Sequence, residues 1–502
     1  MHRVLVIGGG PAGLSAAETL LRRRGDEIAV TVLTDRAYLG GKAGSWEHPD
    51  GRVVENGQHI TMGFYKELPA LLARAGVSHL GTTASNHGRF IIWEDRDQRA
   101  HELHLGASTL RTLIDGFEYT GWTLREKLGF CATIARLAPR VIAGVPEEWD
   151  DICLSALCVE YGLPHSLFAT NGFRCTRDAQ LNYPGEISAY SMLMTIKKAG
   201  RDFLTSEAHF PGGGMSRIWW EPVARHIHRL GGRVVRMKRL VGLEHQGMEL
   251  TGLIIGESQC AEHDDEPCLH GSERPWRGFD EVILAIPPAA LAMVLERTPT
   301  LAALPALAGA AKLRPVVPLG LHVWHRAMAR PEHRTVVAGM APPLEFVVDN
   351  KPFYEEYADD GRFGACLHFV GQEAGYEDME DEALLHRAMG ALRRIPGYEH
   401  LDDAGIHSWQ VVRNRRAHQR YWNGEPGSLK YKPWPTTPVD RLWLAGDWIR
   451  NGFDFPSMES AVHSGTQTAE LVLKSLDERP ARSRELVAGL RRRAPAPPPA
   501  RH

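Results

Sequence analysis

Apolar residues run unbroken through Val4-Leu-Val-Ile7 and again through Val30-Thr-Val-Leu33 apart from one threonine. Runs of this length bounded by glycine and polar residues predict strands buried on both faces of a parallel sheet. A helix is predicted between them over 14–24, so the opening segment forms a βαβ unit of about the ~30 residues such a unit takes. Between about 86 and 205 helical spacing takes over, clearest from Leu124 to Val141, where Leu128, Ile134, Leu137 and Val141 recur on a helical period. Strand character returns at Arg233–Arg236, Val282–Ile286, Pro318–Trp324 and Gly364–Val370, with a helix predicted over about 381–393. A last helix is predicted from Pro456 to about Leu476. Beyond it the chain turns to Arg, Ala and Pro and closes on Ala-Pro-Ala-Pro-Pro-Pro-Ala-Arg-His, so 477–502 is expected to be a disordered tail.

Composition adds bounds. A chain of 502 residues with 43% hydrophobic and 24% charged residues suits two or three structural units with sizeable cores. A formal net charge of -3 offers no electrostatic footprint for nucleic acid. The seven cysteines (131, 153, 158, 175, 260, 268, 366) form no C-x-x-C, which points to reduced thiols and a cytoplasmic setting. The four-residue apolar run before the first glycines is too short for a secretory signal. No stretch approaches the roughly 20 apolar residues that cross a bilayer, although contact with a membrane surface stays open.

The first chemistry-bearing motif is Gly8-x-Gly10-x-x-Gly13, placed directly after a strand and opening a helix. The first glycine permits the tight turn and the second lets a pyrophosphate approach the backbone. The third lets helix and strand pack closely, and the helix N-terminus offers N–H groups to the phosphates. Gly8, Gly10, Pro11, Ala12 and Gly13 are therefore expected at a dinucleotide. The strand-end acid that would bond the ribose is replaced by Thr34, followed by Asp35. Either the threonine hydroxyl makes that contact, or Asp35 reaches back, or Asp35 is a loop carboxylate in solvent.

Leu39-Gly-Gly-Lys-Ala-Gly-Ser-Trp46 and Val54-Glu-Asn-Gly-Gln-His59 follow, and Leu442-Trp-Leu-Ala-Gly-Asp447 with Pro456-Ser-Met-Glu-Ser-Ala461 stands near the other end. Together they resemble the flavin amine oxidase and carotenoid desaturase superfamily. The resemblance implies an α/β fold, a Rossmann-like FAD-binding domain split in sequence, with an α+β substrate domain and non-covalent FAD. It sets Gly40, Gly41 and Lys42 against the pyrophosphate, and Gly57, Gln58 and His59 beside the flavin ring. Asp447 is implied at the ribityl chain, with Ser457, Met458 and Ala461 at the flavin's N1–O2 edge, where a helix N-terminus would stabilise the charge of the reduced ring. Phe210-Pro-Gly-Gly-Gly-Met215 resembles the glycine turn that opens the second half of this domain. Gly231–Val241 resembles its adenine-side strand pair, with Leu240 bonding adenine through the backbone, and Phe279–Pro288, including Ala285, its closing strand.

Glu55–Tyr65 and Ser457–Gly465 are most similar to the plant- and cyanobacterial-type phytoene and zeta-carotene desaturases, with Ser460 where those carry glycine. Squalene-type dehydroxylases share the Asn-Gly-Gln-His segment. This branch implies dehydrogenation of an apolar carotenoid or isoprenoid by hydride transfer to flavin N5, a quinone or oxygen as electron acceptor, and often peripheral membrane attachment. The division expected is 1–85, 206–290 and 406–476 for FAD, and 86–205 with 291–405 for substrate. His59 is the candidate catalytic group, or else a structural histidine bonded to a carbonyl. Phe64, Tyr65, Phe168, Phe173, Met192 and Phe455 are candidates for an apolar cavity, or else core. The helix from Thr123 to Val145 reads either as a core-facing helix or as a membrane-surface element, with Phe130, Ile134, Leu137, Val141 and Ile142 on or near one face. An amine oxidase on the same fold and a prenyl-binding escort protein without flavin are the competing readings. Cys260-Ala-Glu-His-Asp-Asp-Glu-Pro-Cys-Leu-His270 matches no standard zinc spacing and is taken as a solvated insertion, so no metal is expected.

Overall fold

In the computed structural model, which describes residues 1–85, 89–104, 109–174, 185–199, 208–258, 272–329, 336–422 and 424–493, the opening strand is the centre of a parallel sheet. Its order is Arg233–Val235, Ile28–Leu33, His2–Ile7, Glu281–Leu284, Leu442–Leu444. Three distant parts of the sequence thus share one sheet. The burial of Leu5, Val6, Val282, Ile283 and Leu444 explains why these strands read as continuous apolar runs. One face is covered by the first helix, Pro11–Arg24, with the last helix, Met458–Arg493, packed against it. The two helices touch closely: a Cβ on Gly465 would stand 2.0 Å from the Ala12 carbonyl oxygen, and the Ser15 hydroxyl reaches the Val462 carbonyl at 3.0 Å. The other face packs on Leu243, Leu253, Leu291 and Trp448.

A second, seven-stranded sheet runs Ile406–Arg413, Pro318–His325, Ala365–Gln372, Leu344–Asp349, Val336–Ala338, Arg89–Glu94, Arg99–His104. Helix Asp381–Leu392 covers one face through Leu384, Leu385, Ala388 and Leu392. The other face packs against Trp46, Val53, Val54, Phe210 and Phe353, which brings the strand pair Ser45–Glu47 and Val53–Glu55 onto it. Helices Leu124–Ala143, Leu154–Glu160 and Ala189–Ala199 form a third layer around Leu137, Trp149, Leu157 and Leu193.

Three expectations change. Strand Ile406–Arg413 pairs with Pro318–His325 in the seven-stranded sheet, so it belongs with the substrate-side strands and not with the nucleotide unit assigned to 406–476. No compositional break marks residue 406; the glycine- and proline-rich break comes later, at Gly424–Pro435. The last helix continues to Arg493 instead of giving way to a tail at 477, because 481–493 is rich in the strong helix formers Ala, Arg, Glu and Leu. Residues 494–502 and the Cys260–His270 segment lie outside the described residues. In helix Leu124–Ala143 the expected single face is divided: Leu137 and Val141 are buried, while Leu124, Leu128, Ile134 and Ile142 are exposed. At 100° per residue, Leu137 and Val141 lie well round the helix from Leu124, Leu128 and Ile142. Among the described residues no helix is long and apolar enough to cross a membrane.

Candidate functional site

The glycine turn is built where the sequence motif predicts it. Gly8 has φ +122, and a Cβ there would lie 2.2 Å from the Ala285 carbonyl oxygen. A Cβ on Gly13 would lie 1.9 Å from the Gly8 carbonyl oxygen; both clashes are with backbone, so no rotamer relieves them. The helix has Gly10 as its N-cap with no side-chain cap and Pro11 in its first turn. Its first-turn N–H groups are thereby left for a ligand, which at a helix N-terminus favours an anion. Directly beneath, the Gly40 N–H donates to the Gly9 carbonyl at 2.9 Å, setting Gly40-Gly41-Lys42 against the first turn.

Lys42 closes the circuit with the other end of the chain. Its Nζ stands 3.3 Å from an Asp447 carboxylate oxygen, 405 residues away. Asp447 is buried, and the preceding Gly446 N–H donates to Ser464 Oγ at 2.9 Å. Ser457 caps the last helix, its Oγ accepting from the Ser460 N–H at 3.0 Å, and the Tyr65 hydroxyl, its pKa raised by burial and by Glu459, lies against Ser457. Glu459 accepts three backbone N–H groups, from Lys66 at 2.6 Å, Glu67 at 2.7 Å and Leu68 at 2.9 Å. One carboxylate thus caps helix Glu67–Arg74 from the far end of the sequence. Ser460, which stands where glycine was expected, is buried with its hydroxyl accepting from Asn451 at 2.9 Å.

At the end of the second strand, Thr34 is buried under Gly9. Asp35 is not a solvated carboxylate. Burial alone would raise its pKa, but His418, Arg36 and Arg239 outweigh this and hold it below the ordinary value. Arg239 is 3.4 Å from it. Leu240 is buried beside this cluster and pairs with Ile255.

The segment 56–59 forms a polar wall between the two sheets. Asn56 donates to the Gly41 carbonyl at 3.0 Å, and Asn414 donates to the Asn56 carbonyl at 2.8 Å. Gln58 Oε1 accepts from His368 Nδ1 at 3.0 Å. The His368 ring stacks on His322 at 3.9 Å, and His322 Nε2 meets the Glu55 backbone. His59 donates from Nδ1 to the Gly57 carbonyl at 2.6 Å. Burial, only partly offset by that bond, pushes its pKa down to about 4, so the ring is neutral. Outside residues 56–58 no atom lies within 4 Å of where a Gly57 Cβ would stand. Among the described residues, Asn56 Oδ1, Gln58 Nε2, His368 Nε2 and Asn414 Oδ1 are buried without a hydrogen-bond partner. Open space flanked by unspent donors and acceptors, with a glycine-lined helix N-terminus beside it, fits a flavin dinucleotide.

Of the candidate cavity residues, Phe168, Phe173 and Met192 share one cluster with Leu154 and Leu167, while Phe64 packs on Tyr65 and Phe455 on Phe453. A connection the motifs did not reveal is a buried ion pair, Lys432 Nζ to Asp454 at 3.1 Å. Burial lowers the Lys432 pKa and Asp454 opposes this. Tyr190 donates to the same carboxylate at 3.2 Å and Ser191 to the Asp454 carbonyl at 3.1 Å. The loop before the last helix is thereby tied to helix Ala189–Ala199. Asn414, His322 and His368 also escaped the motif reading, Asn56 and Glu459 stand in quoted motifs without a role there, and no sequence spacing links the five to their partners.

Comparison with known proteins agrees with this geometry. The family described as flavin containing amine oxidoreductase matches over residues 11–473. The chain is similar to 15-cis-phytoene desaturase of Synechococcus elongatus, 22% identical over 96% of this chain and 98% of that protein. It is also similar to hydroxysqualene dehydroxylase of Sinorhizobium fredii, 24% identical over 94% of this chain and 98% of that protein. Among solved structures, cyclohexylamine oxidase from Brevibacterium oxydans superposes with a TM-score of 0.64 at 15% identity, covering 95% of this chain and 99% of that one. An oxidoreductase from Methanosarcina mazei gives 0.65 at 15% identity over 93% and 100%. The structural likenesses establish the shared α/β fold.

Proposed function

The chain belongs to the flavin-containing amine oxidoreductase family, and on that premise we propose that it dehydrogenates an apolar isoprenoid held beside non-covalently bound FAD. It is an FAD-dependent oxidoreductase. The observation that carries the cofactor half of this reading is the Lys42–Asp447 contact, which joins the two cofactor motifs next to the polar segment at 56–59. Near-full-length similarity to proteins named for phytoene and hydroxysqualene supports an isoprenoid substrate.

The residues assigned to FAD are Gly8, Gly10, Pro11, Ala12, Gly13, Thr34, Asp35, Gly40, Gly41, Lys42, Gly57, Gln58, His59, Leu240, Ala285, Gly446, Asp447, Ser457, Met458 and Ala461. FAD held by these residues would supply the two-electron acceptor for hydride. His59, with Nδ1–H spent on Gly57, keeps a lone pair at Nε2 and takes the proton the substrate loses. Phe168, Phe173 and Met192 belong to the substrate side, and Lys432–Asp454 positions that side on the last helix. The FAD unit comprises 1–85, 206–290 and the chain after 413, and the substrate unit the rest up to 413. A quinone or oxygen would serve as the electron acceptor.

The protein works in the cytoplasm at the membrane surface. Helix Leu124–Ala143 exposes Leu124, Leu128, Ile134 and Ile142 beside the exposed Arg125, Arg136 and Arg140, and its one carboxylate, Glu126, is buried in its N-terminal capping box. On this helix the exposed Leu124, Leu128 and Ile142 form one apolar stripe flanked by exposed arginines, which suits an anionic bilayer. Anaerobic mixing of the holoprotein with phytoene, with an amine panel and with no substrate tests the reading. Bleaching of the flavin band by the lipid alone supports it; bleaching by an amine alone replaces it with an amine oxidase.

A further inference from the structure

The adenosine end of the cofactor site is flanked by a histidine that no motif contains. In a strand–turn–helix nucleotide fold the ribose lies at the end of the second strand, here Ile28–Leu33. Thr34, which takes the place of the acid, is buried beneath the turn: a Cβ on Gly9 would stand 2.9 Å from its hydroxyl oxygen. Asp35 is the next side chain along, and 23% of it is exposed, so a ligand can reach it.

His418 comes to this point from another layer, on the loop that leaves strand Ile406–Arg413 of the seven-stranded sheet. That loop is anchored at both ends. Asn414 donates to the Asn56 carbonyl at 2.8 Å, and the buried Gln419 accepts from the Arg416 N–H at 3.0 Å. Between them, His418 Nε2 stands 2.7 Å from Arg36 Nη2, and Nδ1 stands 3.0 Å from Arg239 Nη2. Burial, opposed by Asp35 and reinforced by the guanidinium groups, pushes the His418 pKa down to about 3. The neutral ring then has one lone pair and one N–H, and a guanidinium only donates, so the ring accepts from one of the two arginines. The shorter contact takes the lone pair at Nε2. The N–H is therefore at Nδ1, where it faces Asp35 Oδ2 at 3.7 Å. Arg239 has the same carboxylate oxygen, 3.4 Å away, as its acceptor. Both donors bear on Oδ2 and leave Oδ1 to the ligand side.

We propose that His418 is a positioning residue for the cofactor: with Arg36 and Arg239 it fixes Asp35 as the acceptor for the adenosine ribose hydroxyls, in place of the strand-end acid that Thr34 replaces. This rests on the reading above that FAD occupies this site. A carboxylate held by donors on one oxygen presents the other in a set direction, and a contact that is already ordered costs less to form than one made by a rotating side chain. The loop after strand Ile406–Arg413 thereby governs how tightly the dinucleotide is held, although it carries no nucleotide motif.

The test loads the full-length protein with FAD or with the FAD analogue carrying 2′,3′-dideoxyadenosine, and follows release of each by flavin fluorescence after dilution. The parent should hold FAD at least about tenfold more tightly than the analogue. Asp35→Asn and His418→Ala should each weaken FAD by about that factor and leave the analogue nearly unchanged, which brings the ratio towards one. His418→Gln, whose amide keeps one donor and one acceptor, should recover most of the preference. If His418→Ala weakens both dinucleotides alike, the residue is merely structural and the proposal is overturned. A parent that holds both equally, or a preference kept in Asp35→Asn and lost in Thr34→Val, also overturns it while flavin binding itself stands. Protein that takes up neither dinucleotide overturns the FAD assignment on which the proposal rests.

Discussion

Replacing Glu55 by glutamine should stabilise the protein, and more strongly as the pH rises. Glu55 ends the strand that leads into the polar wall and has no exposed surface. Burial drives its pKa from 4.5 to about 8, with Tyr354 and the Met215 amide pulling weakly the other way. The sign follows from linkage. Below pH 4.5 both folded and unfolded chains carry the neutral acid, and the group costs nothing. Between 4.5 and about 8 only the unfolded chain ionises, which removes about 1.4 kcal/mol of stability per pH unit. The penalty grows to about 3 kcal/mol at neutral pH and about 5 kcal/mol at pH 8 and above. Glutamine has the shape of the protonated acid and no such term. Urea unfolding of the FAD-saturated protein and of Glu55→Gln at pH 5, 6.5 and 8 reads the difference directly. The variant's advantage should widen by several kcal/mol across that range. A gap independent of pH, or a less stable variant at pH 8, would show that Glu55 is held as a paired carboxylate and refute the reasoning.

Three further outcomes are expected. Lys42→Met should weaken FAD binding by about ten- to a hundredfold, the loss of a part-buried charge-assisted contact, with Lys42→Arg recovering most of it in a flavin fluorescence titration. Glu459→Ala should strand the three N–H groups of residues 66–68 and cost about 3 kcal/mol or more, seen as a lower Tm in calorimetry, with Glu459→Gln losing less. The pair Leu128→Glu and Ile142→Glu should abolish co-sedimentation with vesicles rich in phosphatidylglycerol while leaving flavin content intact; retained sedimentation would exclude this helix as the docking face.

What the sequence made legible was local. The strand–turn–helix from His2 to Arg24, the Gly40–Gly41 turn and the Gly446–Asp447 segment each carry their reason within a few residues: a clash that only glycine avoids, or a cap that one turn supplies. The FAD motifs could therefore be placed before any fold was known. Contacts made across the fold left no such trace. Gln58 and His368 are 310 residues apart, and His368 reads in sequence only as one member of a buried strand. Lys432 and Asp454 are close in sequence but are joined to Tyr190 only by tertiary packing. Ile406–Arg413 has strand character, but its partner is chosen by the sheet edge left open at Pro318–His325. Helix Leu124–Ala143 shows the same limit: periodicity put its apolar residues on or near one face, and only packing against Trp149 and Leu193 shows that Leu137 and Val141 are the core members.

The account stands on one site being assembled from chain segments some 400 residues apart, and the visible spectrum of the purified protein tests this most directly. It predicts one FAD per chain, with flavin absorbance that passes wholly into the supernatant on denaturation, and near-complete loss of that flavin in Asp447→Ala despite an unchanged first glycine turn. Colourless protein that takes up no added FAD, or an Asp447→Ala variant that binds it as well as the parent, would contradict it.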